Sequence, residues 1–131
     1  MNGLAPALRI FIAGAVAILM FDTAGAVAAL TLGFPYALLS PGSFLIQIVV
    51  GFLATRASSL KVGVALATGV AAIESTIGWL ISWAIGPGRP PAEFHTVGWI
   101  TASVIIVTIT GSLCGLLGGG LARLFARRQT A

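Results

Sequence analysis

KVGVALATGVAAIESTIGWLISWAIG, residues 61–86, holds one cation at its start, one acid at position 74, and otherwise apolar, small or hydroxyl-bearing side chains. At 1.5 Å per residue, about 20 helical residues cross the roughly 30 Å hydrocarbon core of a bilayer, so this run is long enough to span one. Only helices and closed barrels satisfy every backbone group in lipid, and an unbroken apolar run argues for the helix. The acid near its middle is the informative exception. A charge at the centre of a spanning helix costs about 2.5–3.5 kcal/mol on insertion scales, so such a residue faces a polar interior, a partner or a neutralising ligand.

Three further runs have the same character, which predicts helices over about 9–33, 41–57, 61–86 and 97–122. The second is the least typical, being short and interrupted by Gly51. The whole chain of 131 residues is 58% hydrophobic and 8% charged, with a mean hydropathy of +1.08. Such a composition exposes too much apolar surface for a water-soluble fold and leaves no room for a separate soluble domain. The expected fold is therefore all-α: one polytopic domain, residues 1–131, with four transmembrane helices. Arg9 followed by Ile10–Phe21 and Ala24-Gly25-Ala26 imitates a secretory signal. The apolar run resumes through Val27–Leu32, so an uncleaved first helix is expected.

Charge sets the expected orientation. Arg9, Arg56, Lys61, Arg123, Arg127 and Arg128, six of the seven basic residues, fall at one end of the predicted helices; Arg89 alone falls at the other, offset by Glu93. The positive-inside rule places both termini in the cytoplasm, and the bias argues against insertion in both directions. The six cations are expected to contact anionic lipid. The net charge of +4 and pI near 10.8 do not indicate nucleic acid, because the cations are scattered at helix ends. Abundant alanine and glycine with this charge layout point to a bacterial inner membrane.

Phe34, Tyr36, Trp83, Phe94 and Trp99 gather at the opposite boundary, as interfacial rings do. Gly86-Pro87-Gly88-Arg89-Pro90-Pro91 cannot continue a helix and predicts an extended connection. Ser40-Pro41 reads as an N-cap followed by proline at the first helical position.

Asp22 lies thirteen residues after Arg9 and Glu74 thirteen after Lys61. That is about 20 Å along each helix, which sets the two acids at one depth. Gln47 and Ser112 fall within a turn or two of that level, and Thr23, Ser75 and Thr76 sit beside the acids. Helical periodicity puts Asp22 on a face with Ala15, Gly25, Ala26 and Ala29, and Glu74 with Ala67, Ala71 and Gly78. Gln47 shares a face with Ser43, Gly51 and Ala54, and Ser112 with Thr101, Thr108, Gly115 and Gly119. Polar and small residues thus coincide on one face of every helix, which marks the packed side. Asp22, Glu74, Gln47, Thr23, Ser75 and Ser112 are the candidate ion- or proton-binding residues.

The fourth run carries Gly111-xxx-Gly115-xxx-Gly119, a close-packing repeat that serves equally within one chain or between copies. Gly118, Gly119 and Gly120 in succession are expected to weaken the end of that helix. A shift of fifty-two residues aligns Arg9 with Lys61, Asp22 with Glu74, Thr23 with Ser75 and Pro35 with Pro87, the trace of a parallel internal repeat.

Enzyme chemistry is not expected. The single histidine, His95, lies in a connection near Glu93, and two ligands do not make a metal site. The single cysteine, Cys114, reads as a small packing residue. No phosphate-cradling glycine loop or nucleophile motif appears, and no cofactor is implied. Small size and an acid in the first helix resemble the small multidrug transporters, where that acid is typically glutamate. The similarity rests on Asp22 and a helix count, and no function is carried over from it.

Three uses of the acids follow. No basic residue lies at their depth, so a proton or a bound cation is the available neutraliser, as in a small transporter or channel. Alternatively the chain is a non-catalytic accessory or assembly subunit, its acids pairing with a cation on a partner helix. In the third use, protonated acids bond across helices for about 0.6–2 kcal/mol each. A homo-oligomer and a membrane-protein partner are both compatible with the glycine faces.

Overall fold

The computed structural model describes residues 4–129, and these form α1 (Leu4–Leu32), α2 (Ser40–Ala57), α3 (Leu60–Ile73), α4 (Trp79–Ile85) and α5 (Val97–Arg128). A π-helical segment, Glu74–Gly78, joins α3 to α4 as one rod. Four segments are long and apolar enough to cross a membrane: Ala5–Leu32, Tyr36–Ala57, Leu60–Ile85 and Val97–Arg128. The expected four-helix, all-α architecture is present. The second helix is no weaker than the rest, because a 3-10 turn at Tyr36–Leu39 extends it.

Local chemistry explains most of the boundaries. α1 stops where Gly33 takes a left-handed conformation (φ 72°) and its N–H bonds back to Ala29 O, the usual glycine stop of a helix. Gly86, at φ 124°, ends α4 in the same way. Ser59 and Thr96 cap α3 and α5 by accepting from the N–H groups of Val62 and Trp99. Ser40 is not the cap expected of it. It is already helical, and its hydroxyl donates to Ala37 O, because the 3-10 turn runs straight into α2. The connection after α4 is extended only in part. It first folds back, with Gly88 N–H toward Ser82 O and Arg89 N–H toward Gly86 O.

α5 packs along both α2 and α3, α2 packs on α3, and α1 lies outside against α2 and the Leu60–Ile85 rod. Among the described residues the cluster of larger buried apolar side chains is small: Ile18, Val50 and Val70, flanked by Phe11, Ile46, Leu66 and Ile73 among others. Small residues make the closest helix crossings. A Cβ on Gly111 would meet Ala71, one on Gly115 would meet Ala67 and Val64, and one on Gly119 would meet Leu60 and Thr55. The Gly111/Gly115/Gly119 stripe is therefore used inside the chain. Gly118 and Gly119 do not weaken α5, which runs on to Arg128, because α2 and α3 hold them. Glycine here allows close approach, and packing supplies the order that propensity lacks.

The outer surface is the reverse of a soluble protein's. Met20, Leu30, Leu80, Ile106 and Leu117 stand exposed, so contact with hydrocarbon rather than water suits this face. The packing is not two-fold: α2 lies against α3, yet α1 has no comparable contact with α5. Asp22 and Glu74 line one cavity, but the helices around them are not arranged as a symmetric repeat.

Candidate functional site

The inward stripe of α1 is Ala7, Gly14, Ile18, Asp22, Gly25, Ala26 and Ala29, spaced by three, four or seven. That spacing is one face of a helix, and it carries Asp22 into the bundle, 4% exposed. Its Oδ1 accepts a 3.3 Å hydrogen bond from the Tyr36 hydroxyl. Its Oδ2 is buried without a partner. Tyr36 reaches the acid because the left-handed Gly33 reverses the chain and Pro35 leads into the 3-10 turn. Tyr36, expected only as a boundary ring, is half-buried, and its hydroxyl serves Asp22.

α2 buries Ser43, Gln47, Val50, Gly51 and Ala54 on one face. Gln47, 1% exposed, donates through Nε2 to Glu74 Oε2 at 2.6 Å. Its own Oε1 has no partner. Ser43 is a second hydrogen-bonding neighbour of Glu74. Glu74 opens the π segment, and the N–H of Trp79 returns to Glu74 O, one residue farther than in an α-helix. An inserted residue of this kind turns the following side chains to a new direction. After it, Gly78 and Ser82 face inward at four-residue intervals, and Ser82 is a hydrogen-bonding neighbour of Tyr36. Gly78 has to be small, because a Cβ there would strike Asp22 Oδ2.

Beside the two acids lies a cavity of about 160 Å³, room for several waters at about 30 Å³ each. Asp22, Tyr36, Ser40, Ser43 and Glu74 are the oxygen-bearing side chains of its lining, with Phe44 and Trp79 among the apolar ones. No cation is among the groups acting on either acid. The two unpartnered atoms at the site, Asp22 Oδ2 and Gln47 Oε1, are both acceptors. Either atom can accept from a water or take a proton or a cation. Carboxylate, amide and hydroxyl oxygens are the ligand types that hard cations and protons take.

Of the six sequence candidates, Asp22, Glu74 and Gln47 meet in this way. Ser75 is buried beside them, but its hydroxyl is turned to Ala72 O. Thr23 is exposed and donates to Leu19 O at 2.7 Å, because one residue along a helix turns the side chain about 100° away from Asp22. Thr76 likewise bonds Ala72 O. Ser112 bonds Thr68 Oγ1 at 2.8 Å and pins α5 to α3, outside the cavity. Thr101, assigned to the same face, is exposed; α5 buries residues only from Gly111 onward.

Sequence reasoning missed Tyr36 and Ser82 as site residues. For Ser82 a signal existed, since it follows Glu74 and Gly78 at helical spacing. Trp79 was also absent from the aromatic group, yet it stacks on both Trp83 and Trp99, and Trp83 stacks on His95. No protein-family model matches the chain, and no curated protein or solved structure matches it either.

Proposed function

We propose that the protein is a small transporter or channel for protons or a small cation, with Asp22 and Glu74 as the carriers of charge in mid-membrane. One observation supports this most. Two carboxyl groups line a single small cavity, without a basic partner, and Asp22 Oδ2 is left without a hydrogen bond. A purely structural acid would use its oxygens on neighbouring donors. A group that must bind and release a small cargo keeps an oxygen free. Gln47 and Tyr36 then act as positioning residues, one on each acid.

In this reading the helices cross a bacterial inner membrane with both termini in the cytoplasm. The charge asymmetry supports that orientation, and the exposed leucines and isoleucines support the lipid contact. Cysteine labelling from either side of intact cells, at single cysteines placed near Arg89 and near Arg128, checks the orientation.

The test of function is flux in proteoliposomes. Wild-type protein is compared with Asp22→Asn, Glu74→Gln and the double change under imposed proton, sodium and potassium gradients. Loss of flux in either folded variant supports the reading. No flux from folded wild type under any of these gradients overturns it and favours an accessory subunit, to be sought by co-purification of a basic partner helix.

A further inference from the structure

At the opposite end of the helices from Gly33 and Gly86 lies a second cavity, of about 290 Å³. Its wall is Thr55 and Arg56 of α2 with Ala122, Arg123 and Ala126 of α5. The two alanines flank Arg123 and keep the space between the guanidinium groups open. Two cations share this wall without an answering acid. The chain's acidic side chains are Asp22, Glu74 and Glu93. The first two line the carboxylate cavity, and Glu93 sits in the connection at the far end. Among the described residues neither guanidinium makes an ion pair or a side-chain hydrogen bond.

Arg56 is nonetheless held. Its guanidinium lies 5.9 Å from the centroid of Phe52, and Phe52 meets Phe125 edge-on at 6.2 Å. A guanidinium resting on a ring keeps its in-plane N–H groups for another ligand. Thr55 lines the same cavity, but its hydroxyl is turned between Gly63 and Gly119. Thr23, Thr31, Thr68, Thr76, Thr108 and Thr110 each return a hydroxyl to the carbonyl four residues back. Thr55 does not, and its buried Oγ1 has no partner.

We infer that Arg56 and Arg123 form a binding site for a phosphate-bearing anion, supplied by the headgroup of an anionic phospholipid or by free phosphate. Planar guanidinium forks match phosphate oxygens two at a time. The position suits a headgroup as well, since it lies where helices long enough to cross a bilayer come to an end. A bound phosphate bridges α2 to α5 and removes the repulsion between the arginines.

The test uses the full chain in a neutral detergent, titrated with phosphatidylglycerol, phosphatidylcholine or inorganic phosphate while thermal unfolding is followed. Phosphatidylglycerol is expected to raise the midpoint saturably, and phosphatidylcholine, whose choline cancels the charge, to leave it unchanged. Arg56→Gln and Arg123→Gln should each weaken the phosphatidylglycerol response about tenfold, the loss expected of one charge-assisted contact. Arg9→Gln, outside the cavity, should not weaken it. Ala126→Leu keeps every charge but fills the space, and should abolish the response. A shift reproduced by inorganic phosphate, competing with the lipid, identifies free phosphate as the source. Headgroup binding instead gives a lipid response that phosphate neither reproduces nor displaces. An unchanged lipid response in Ala126→Leu overturns the site, including where an arginine variant fails to fold. Equal weakening by Arg9→Gln and Arg56→Gln also overturns it, since diffuse surface charge then explains the binding.

Discussion

Gly51 of α2 and Gly115 of α5 cross so closely that a Cβ built on Gly51 lies 2.8 Å from both the Cα and the carbonyl oxygen of Gly115. Backbone meets backbone at this point, and no side-chain rotation can make room. Gly51→Ala and Gly115→Ala should each destabilise the protein by about 1–3 kcal/mol, the usual cost of overpacking. Gly120→Ala, where a Cβ meets nothing within 4 Å, should change stability by less than about 0.5 kcal/mol. Unfolding titrations in mixed micelles measure the three. Equal effects would show that the crossing is looser than described.

The bond from Gln47 to Glu74 should appear as coupling. Gln47→Met and Glu74→Met keep approximate volume and remove one partner each. In a double-mutant cycle the coupling free energy should be about 0.6–2 kcal/mol, the range for hydrogen bonds between membrane helices. Additive effects would mean that the 2.6 Å contact contributes nothing to stability.

Gly78→Ala should act through Asp22. The added methyl would collide with Asp22 Oδ2, so the variant loses about 1–3 kcal/mol. Asp22→Ala in the same chain should restore part of that loss, because the obstructing atom is gone. A second-site comparison of this kind separates a collision at the acid from a general intolerance of the π segment. Failure of Asp22→Ala to relieve Gly78→Ala would contradict the described contact.

Cys114 provides a probe of the interior. It is a buried thiol of α5, and buried thiols of this kind are inert until exposed. A small maleimide should label the folded protein slowly and the unfolded protein completely. Rapid labelling of folded protein would place Cys114 on the outer surface.

Why the sequence disclosed some of this and concealed the rest is a matter of range. The helices were legible because apolar length and charge position are local properties. The direction of Asp22, Glu74 and Gln47 was legible because small residues marked one face of each helix, and packing in a membrane favours that face. Thr23 and Ser112 failed for a related reason: proximity along the chain or in depth says nothing about azimuth, and each hydroxyl found a nearer partner. Tyr36 could not be placed without knowing that Gly33 turns the chain back on itself. The π segment left no sign at all, since one extra residue per turn alters no composition. It nevertheless sets the directions of Ser75, Gly78 and Ser82 around the acids.

The peripheral place of α1 has a consequence for synthesis. Asp22 emerges from the ribosome before its partners from other segments: Tyr36 follows it by fourteen positions, and Gly78 belongs to the third long apolar segment. α1 packs chiefly against α2 and that third segment. Asp22 therefore has its tyrosine early, but the Gly78 backbone that packs on its other oxygen comes only after more than half the polypeptide has been made. The main neighbours of the segment translated first are thus all made before α5, which is translated last and packs along both α2 and α3.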